Sequence, residues 1–179
     1  MSCNPAIGGL AKGQLVREID ALGGQMAKTI DATGIQFRML NRSKGPAVWS
    51  PRAQADKSLY SDFMNNTLLN QQNLYYKSGE VREILVKNGG VEGVVLKTGK
   101  NILGRAVIIT SGTFLGGKGF RGKRSFEGGR AGEMPAIGLT KSLHMHGIRH
   151  GRFKTGTPPR LDSETIDWTK FECQYGDPV

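Results

Sequence analysis

Short apolar segments punctuated by glycine occupy the middle of the sequence and constrain the fold more than any other feature. The segments with strand-like patterns are residues 74–77, 81–86, 91–97 and 106–110. Turn-forming residues separate them, and Asn88-Gly89 between two such segments is typical of a two-residue hairpin loop. The sequence therefore predicts an antiparallel meander at about residues 74–104, followed by one further strand.

The last predicted strand differs from the others because its apolar residues are consecutive. Val107-Ile108-Ile109 predicts a strand buried on both faces, as in a parallel sheet. It leads into Thr110-Ser111-Gly112-Thr113, and open α/β sheets bind ligands at the carboxyl ends of their strands. Residues 110–113 are therefore a candidate ligand site, although an ordinary turn after a strand gives the same pattern.

The amino-terminal residues combine a thiol with turn-forming residues. Ser2-Cys3-Asn4-Pro5 precedes two adjacent glycines, Gly8 and Gly9. A helix with its apolar residues on one face is predicted next, and Gly23-Gly24 marks its end. Glycine-rich loops that lead into helices are typical of anion sites, whereas a single cysteine such as Cys3 is more often merely buried.

A second helix is predicted to begin at Ser50-Pro51 and to continue to about Gln71. Serine is favoured as the N-cap residue, and proline is favoured at the first helical position. The segment between the two helices, residues 30–40, is interpreted as irregular or briefly extended.

Glycine and basic residues dominate the sequence after the last predicted strand. Residues 117–122 match G-x-G-x-x-G, but no helical pattern follows, so we reject a dinucleotide-binding interpretation. The segment is instead interpreted as a mobile basic loop, in which Phe120 and Phe126 are placed to stack on a base, or as a disordered surface loop. A short helix is predicted at 135–146 with Gly147 as its cap, and its histidines lack the further ligands of a metal site.

Charge and composition favour a polyanionic partner and a reducing compartment. The 179 residues carry 25 Lys and Arg against 15 Asp and Glu, and residues 118–160 alone carry ten basic side chains against two acidic ones. Two cysteines give no disulfide framework, and no membrane-spanning apolar stretch is visible. We expect a cytoplasmic protein without membrane contact.

Several long motifs in series resemble the MnmG (GidA) family, the flavin-dependent tRNA uridine 5-carboxymethylaminomethyl modification enzymes. The matching blocks are Ser2–Gly9 with Lys12-Gly13 and Val16–Gly24, Ile30–Arg38, Ser43–Val48 with Arg52–Asp56, and Gly151-Arg152 with Lys154–Arg160. The resemblance covers essentially the whole chain.

The resemblance implies an α/β fold. We expect an incomplete FAD-binding, Rossmann-like domain of the glutathione-reductase type, with the antiparallel meander and the start of an insertion domain. Residues 1–115 would form the partial FAD-binding domain. Residues 116–179 would contain the basic glycine-rich loop, the short helix and the start of the insertion.

Site residues follow from the same resemblance. Cys3 would be catalytic, adding to the uracil ring as a thiolate, with a structural or proton-transfer role as the rival interpretation. The residues expected to contact the cofactor are Val81, Thr110, Ser111, Gly112, Thr113 and Ala136, the last through its backbone. The candidates for tRNA or flavin phosphate contacts are Lys44, Arg52, Lys154 and Arg160.

The family resemblance also implies cofactors and partners. These are FAD, NADH and methylenetetrahydrofolate as the one-carbon donor, with tRNA as substrate, an MnmE-type GTPase as partner and a homodimeric full-length form. The strand, glycine-rich turn and helix that normally begin such a domain are missing from the sequence. We therefore expect an internal fragment that binds FAD weakly and is inactive alone.

Three alternatives remain open from the sequence. The chain would instead belong to a folate- and FAD-dependent tRNA uridine methyltransferase, to a flavin oxidoreductase acting on a small molecule, or to a non-catalytic RNA-binding or assembly module. Salt-sensitive RNA binding without flavin would favour the last of these.

Overall fold

A computed structural model describes residues 4–130, 132–156, 158–159 and 161–178. The chain forms two compact units. Unit 1 contains residues 4–76 and the described residues from 155 onward, and unit 2 contains residues 77–154. The division at residue 115 that the sequence suggests concerns the domains of a longer protein and stays a prediction.

Unit 1 contains a three-stranded antiparallel sheet and three helices. The strands are β1 (Ala6–Gly8), β2 (Gly34–Leu40) and β3 (Ser50–Ala55), and β3 lies in the centre. The helices are α1 (Gly13–Ala21), α2 (Gln25–Thr33) and α3 (Lys57–Leu69). Ile30 of α2 packs with Ala53 and Ala55 of β3, and their small methyl groups let the helix approach the sheet closely.

Helix α1 confirms the first predicted helix and its end. Gly23 has a positive φ of 85°, and its N–H donates to the carbonyl of Asp20 at 2.7 Å. The N–H of Gly24 reaches the carbonyl of Ile19 at 2.9 Å, which completes a Schellman motif.

The predicted helix start at Ser50-Pro51 is wrong, because these residues begin strand β3. Ser50 is buried, and β3 pairs with β1 and β2 on its two sides. Pairing with two neighbours satisfies more backbone groups than one helix cap, and proline is accepted at the start of a strand. The helix begins instead at Lys57, where the Asp56 carboxylate accepts hydrogen bonds from the N–H groups of Ser58 and Leu59, both at 2.9 Å.

Residues 30–40 contain the end of a helix and the extended alternative of the prediction. Helix α2 ends at Thr33, and β2 follows directly, with six of its seven residues paired along β3 and Ile35 in a bulge. The carboxyl-terminal residues then extend this side of the sheet, since the N–H of Asp177 donates to the carbonyl of Phe37 at 2.8 Å.

Unit 2 contains the predicted meander. Its strands are β4 (Val81–Lys87), β5 (Gly90–Leu96) and β6 (Asn101–Leu103), in that order in the sheet. Asn88 and Gly89 have φ values of 50° and 79°, as a type I′ turn requires, which confirms the predicted hairpin. Helix α4 (Ile137–Met145) confirms the last predicted helix, and Ser142 receives the N–H of Ile84 at 3.0 Å.

Two of the strands predicted for the middle region do not form in the described part of the structure. Residues 74–77 and 106–110 have no strand assignment, and Ile108 is 87% exposed. A continuous apolar strand needs a neighbour on each side for its backbone hydrogen bonds, and no strand of the described part pairs with residues 106–110.

The basic segment after residue 116 is a hairpin instead of an irregular loop. Strands β7 (Lys118–Arg121) and β8 (Arg124–Glu127) pair through a turn at Gly122, whose φ is 56°. These glycines lead from one strand of a hairpin into the other, whereas a dinucleotide-binding turn leads from a strand into a helix. Among the described residues, no helix is long and apolar enough to cross a membrane.

Candidate functional site

A cleft of about 590 Å³ in unit 2 collects four of the six predicted cofactor contacts. Val81 at the start of β4, Thr110, Ser111 and Ala136 all line it. These residues come from three segments that are distant in sequence, so the fold brings them together as the sequence interpretation requires. Gly112 and Thr113 lie in the adjoining turn.

The turn after Ser111 is fixed by backbone and side-chain bonds. The N–H of Phe114 donates to the carbonyl of Ser111 at 3.1 Å, and Gly112 has a positive φ of 57°. The hydroxyl of Thr113 donates to the carbonyl of Gly129 at 2.8 Å. A positive φ at Gly112 favours glycine there, so the turn depends on this residue for its shape.

Ala136 is held from both sides by the segment that follows this turn. Its N–H donates to the carbonyl of Phe114 at 2.9 Å, and its carbonyl accepts the N–H of Gly116 at 3.0 Å. A backbone contact to a ligand in the cleft is therefore restricted to the second lone pair of the carbonyl.

The walls of the cleft are mainly apolar, with a few hydroxyl groups. Ile84, Val94 and Leu139 contribute apolar surface, while Ser78 and Thr110 contribute hydroxyls. This composition suits a flat heterocyclic ligand that a few polar groups orient. Among the described residues that line the cleft, Glu80 carries the one carboxylate, and it is paired with the Lys97 ammonium at 2.9 Å.

Two side chains of the described residues have shifted pKa values. Within the described part of the chain, the pKa shifts that stand out belong to Tyr60 and Asp167, and neither residue lines the cleft. Burial raises the pKa of Tyr60, and hydrogen bonds from Thr169 and Lys170 lower that of Asp167.

The predicted phosphate contacts are divided between the two units. Arg52 lies half-buried on β3, directly opposite Arg38 of β2, so the two guanidinium groups share one face of the sheet. Lys44 is exposed in a short 3₁₀ turn of unit 1, and Lys154 is exposed at the end of unit 2. Cys3 and Arg160 lie outside the described residues.

Within unit 1, the carboxyl-terminal residues make contacts with strand β2 and the turn after it that the sequence did not predict. Arg38 donates to the side-chain oxygen of Gln174 at 2.8 Å, and the Asp177 carboxylate receives both the Met39 N–H at 2.6 Å and the Arg42 guanidinium at 2.9 Å. More than 130 positions separate these partners. No local pattern signals such a contact.

Comparison with known proteins identifies relatives along the whole chain. The family model described as GIDA, Glucose inhibited division protein A, matches residues 1–179. The chain is 59% identical over 177 residues to the tRNA uridine 5-carboxymethylaminomethyl modification enzyme MnmG of Thermodesulfovibrio yellowstonii. It is 56% identical to the protein of the same name from Geobacter sulfurreducens. Each alignment covers 99% of this chain and 28% of the relative.

A solved structure gives the same result. The fold matches Aquifex aeolicus GidA with a TM-score of 0.90 and 54% identity, covering 99% of this chain and 29% of that one. This likeness confirms the predicted fold class, an incomplete α/β domain of the FAD-binding type. The chain spans about 28% of the length of the curated relatives that it matches. Since both sequence and structure agree from end to end, the chain belongs to the Glucose inhibited division protein A (GidA, MnmG) family.

Proposed function

We propose that this chain is part of an enzyme that adds a carboxymethylaminomethyl group to C5 of the wobble uridine in tRNA. The observation that carries the proposal is the identity of 51–59% to proteins named for this reaction, across 99% of the chain. Because the chain spans 28% of those proteins, the activity belongs to a longer protein, and we expect the 179 residues alone to be inactive.

The proposal assigns the cleft of unit 2 to part of an FAD molecule. Its apolar walls and hydroxyl groups fit a heterocyclic ring system, and its volume of about 590 Å³ is that of a cofactor site. Val81, Thr110, Ser111 and Ala136 would contact the cofactor, with the turn at Gly112 and Thr113 closing one side. When bound, FAD supplies the redox chemistry of the reaction.

Further cofactors and partners belong to the same proposal. They are NADH as reductant, methylenetetrahydrofolate as one-carbon donor, an MnmE-type GTPase and a second copy in a homodimer. A cytoplasmic location is also part of it, since tRNA modification needs access to tRNA.

Cys3 is proposed as the catalytic nucleophile. As a thiolate it would add to the uracil ring, which makes C5 reactive toward the one-carbon unit. Basic neighbours lower the pKa of a thiol, and Lys12, Lys44 or the N-terminus of the following helix would have that effect on Cys3. Lys44, Arg52, Lys154 and Arg160 are proposed to contact phosphates of tRNA or flavin.

Replacing the cysteines one at a time tests the catalytic assignment. In the full-length enzyme, Cys3→Ala should abolish the modified uridine in tRNA, as measured by mass spectrometry of digested nucleosides. Cys173→Ala is the matched control, because Cys173 is an exposed free thiol far along the chain, and it should leave the modification unchanged. Undiminished modification in the Cys3→Ala enzyme would end the nucleophile role.

A further inference from the structure

Unit 2 contains a second cavity, of about 420 Å³, that none of the predicted site residues line. It lies against Gly116 and Gly117, the start of strand β7 and one side of helix α4. Its basic side chains are those of Lys118, Lys141, His144, His150 and Arg152. We call it the basic cavity.

Within the described part of the chain, the lysine and arginine side chains of the basic cavity, Lys118, Lys141 and Arg152, make no ion pair. One acidic residue, Glu127, lines the cavity, and it pairs with Lys118 in the strand register without an ion pair. Cations gathered in one cavity repel each other, and a bound anion relieves that repulsion.

Several of these groups are already held in position. The Arg152 guanidinium donates to the carbonyl of Gly116 at 3.0 Å, which fixes it at the edge of the cavity. The rings of His144 and His150 pack edge to face, with centroids 5.8 Å apart. Positioned donors bind an anion with less loss of side-chain entropy than free ones.

A buried hydroxyl adds a second kind of donor to the cavity. The Oγ1 atom of Thr140 is buried without a hydrogen-bond partner in the described part of the structure, and Thr140 lines the cavity. Leaving such a group unsatisfied is unfavourable, so a ligand oxygen that accepts its hydrogen bond would be favoured.

An exposed aromatic ring lies next to the cavity. Phe120 is 68% exposed, and the Lys118 ammonium lies 5.6 Å from the centre of its ring. Lys118 and Phe120 are two residues apart on β7, so they share one face of the hairpin. A base stacked on Phe120 would have its backbone within reach of the cavity.

From these contacts we infer that the basic cavity binds a phosphodiester of single-stranded RNA while a neighbouring base stacks on Phe120. The aromatic platform lies on the hairpin beside the cations, and Arg121, Lys123 and Arg124 carry the positive charge further along it. Positive charge that continues beyond the site of one phosphate favours binding of an RNA strand over binding of a free nucleotide. The inference rests on the proposed function, in which the substrate is tRNA, and it names where that RNA is held.

Salt-dependent RNA binding tests the site. Fluorescence anisotropy of a labelled anticodon stem-loop RNA is measured with the 179-residue chain and with its K118Q/K141Q variant. The variant should bind the RNA at least about tenfold more weakly, because each of the two substituted lysines loses a charged hydrogen bond. The slope of log affinity against log salt should decrease by about 0.7, because the cavity holds one phosphate and each phosphate contact on a single strand contributes about that amount.

Matched variants separate the site from general charge. K87Q/K100Q removes two exposed lysines of the same unit outside the cavity and should leave affinity nearly unchanged. K118R/K141R keeps the positive charge at both positions and should retain RNA binding. That result would show that both positions tolerate substitution and that the weaker binding of K118Q/K141Q comes from the lost charge. Phe120→Ala should weaken binding by about fivefold or more without changing the salt slope, because stacking involves no charge.

The outcomes distinguish this inference from the proposed function. Equal weakening by the site and control pairs, or no RNA binding by the unaltered chain, would overturn the site. ADP or inorganic phosphate binding in the cavity more tightly than RNA would also overturn it, in favour of a small phosphate ligand. If RNA affinity survives K118Q/K141Q while the full-length enzyme still modifies tRNA, only this inference fails.

Discussion

Asp56 shows how one side chain decides where an element begins. Its carboxylate accepts two N–H groups of the first turn of α3, and its own N–H donates to the carbonyl of Thr33 at 2.9 Å. The residue thus ends strand β3, ties it to α2 and begins α3. A cap with this geometry satisfies backbone donors that the helix itself cannot.

Removing this cap should lower stability by a predictable amount. Asp56→Ala should reduce the free energy of unfolding by about 1 kcal/mol, as measured by urea denaturation. Asp56→Asn should cost much less, because asparagine also accepts these hydrogen bonds. Equal losses in both variants would show that the charge of Asp56, and not its capping oxygen, is what matters.

Tyr60 gives a prediction about alkaline pH. It packs against the core of unit 1, and burial raises its pKa above the usual value of 10.0. The unfolded chain therefore loses this proton first as pH rises, and the folded state loses stability above about pH 10. Tyr60→Phe should remove that part of the loss, so urea midpoints of variant and unaltered chain should diverge above pH 10. Parallel curves from pH 8 to 11 would contradict this assignment.

At the level of helices, strands and turns, some sequence signals depend only on neighbouring residues, whereas others depend on residues far away in the sequence. Asn88-Gly89 and Gly147 predicted their turn and helix end correctly, because a positive φ is a requirement that glycine and asparagine meet wherever they stand. Ser50-Pro51 predicted a helix wrongly, because pairing of β3 with two other strands depends on residues far away. The apolar run 107–109 has a strand pattern, but no described strand pairs with it.

The residues of the candidate cleft also show the difference between local sequence signals and contacts that depend on distant residues. The strand pattern and the family resemblance both indicate Thr110 and Ser111, the resemblance alone indicates Ala136, and no spacing in the sequence signals their common cleft. The basic cavity was visible in sequence only as an excess of charge in residues 118–160. Which of those cations converge depends on the hairpin β7–β8 and on α4, whose packing is a tertiary property.

Strand β5 provides a test of element geometry. Gly93 has a φ of 144°, and a Cβ there would collide with the carbonyl oxygen of Ile102 on β6. Gly93→Ala should therefore destabilise the chain by about 3 kcal/mol, as overpacked sites do. Gly89→Ala is the control, because its φ is also positive but no atom lies within 4 Å of the added carbon, so about 1 kcal/mol is expected. Thermal unfolding of both variants measures the difference, and equal losses would contradict the close approach of β5 and β6.

At the scale of the whole molecule, charge and exposed apolar surface stand out. The net charge is +10, and large apolar side chains such as Leu15 of α1 and Leu59 of α3 are more than half exposed. The chain spans about 28% of its relatives. The cleft that we propose for the cofactor and the basic cavity both lie in unit 2.

Analysis of tRNA nucleosides tests the central claim most directly. The gene that encodes this chain is deleted, then restored, and tRNA is digested and measured by mass spectrometry in each strain. The account predicts that 5-carboxymethylaminomethyluridine disappears on deletion and returns on restoration. An unchanged level of that nucleoside in the deletion strain would contradict the account.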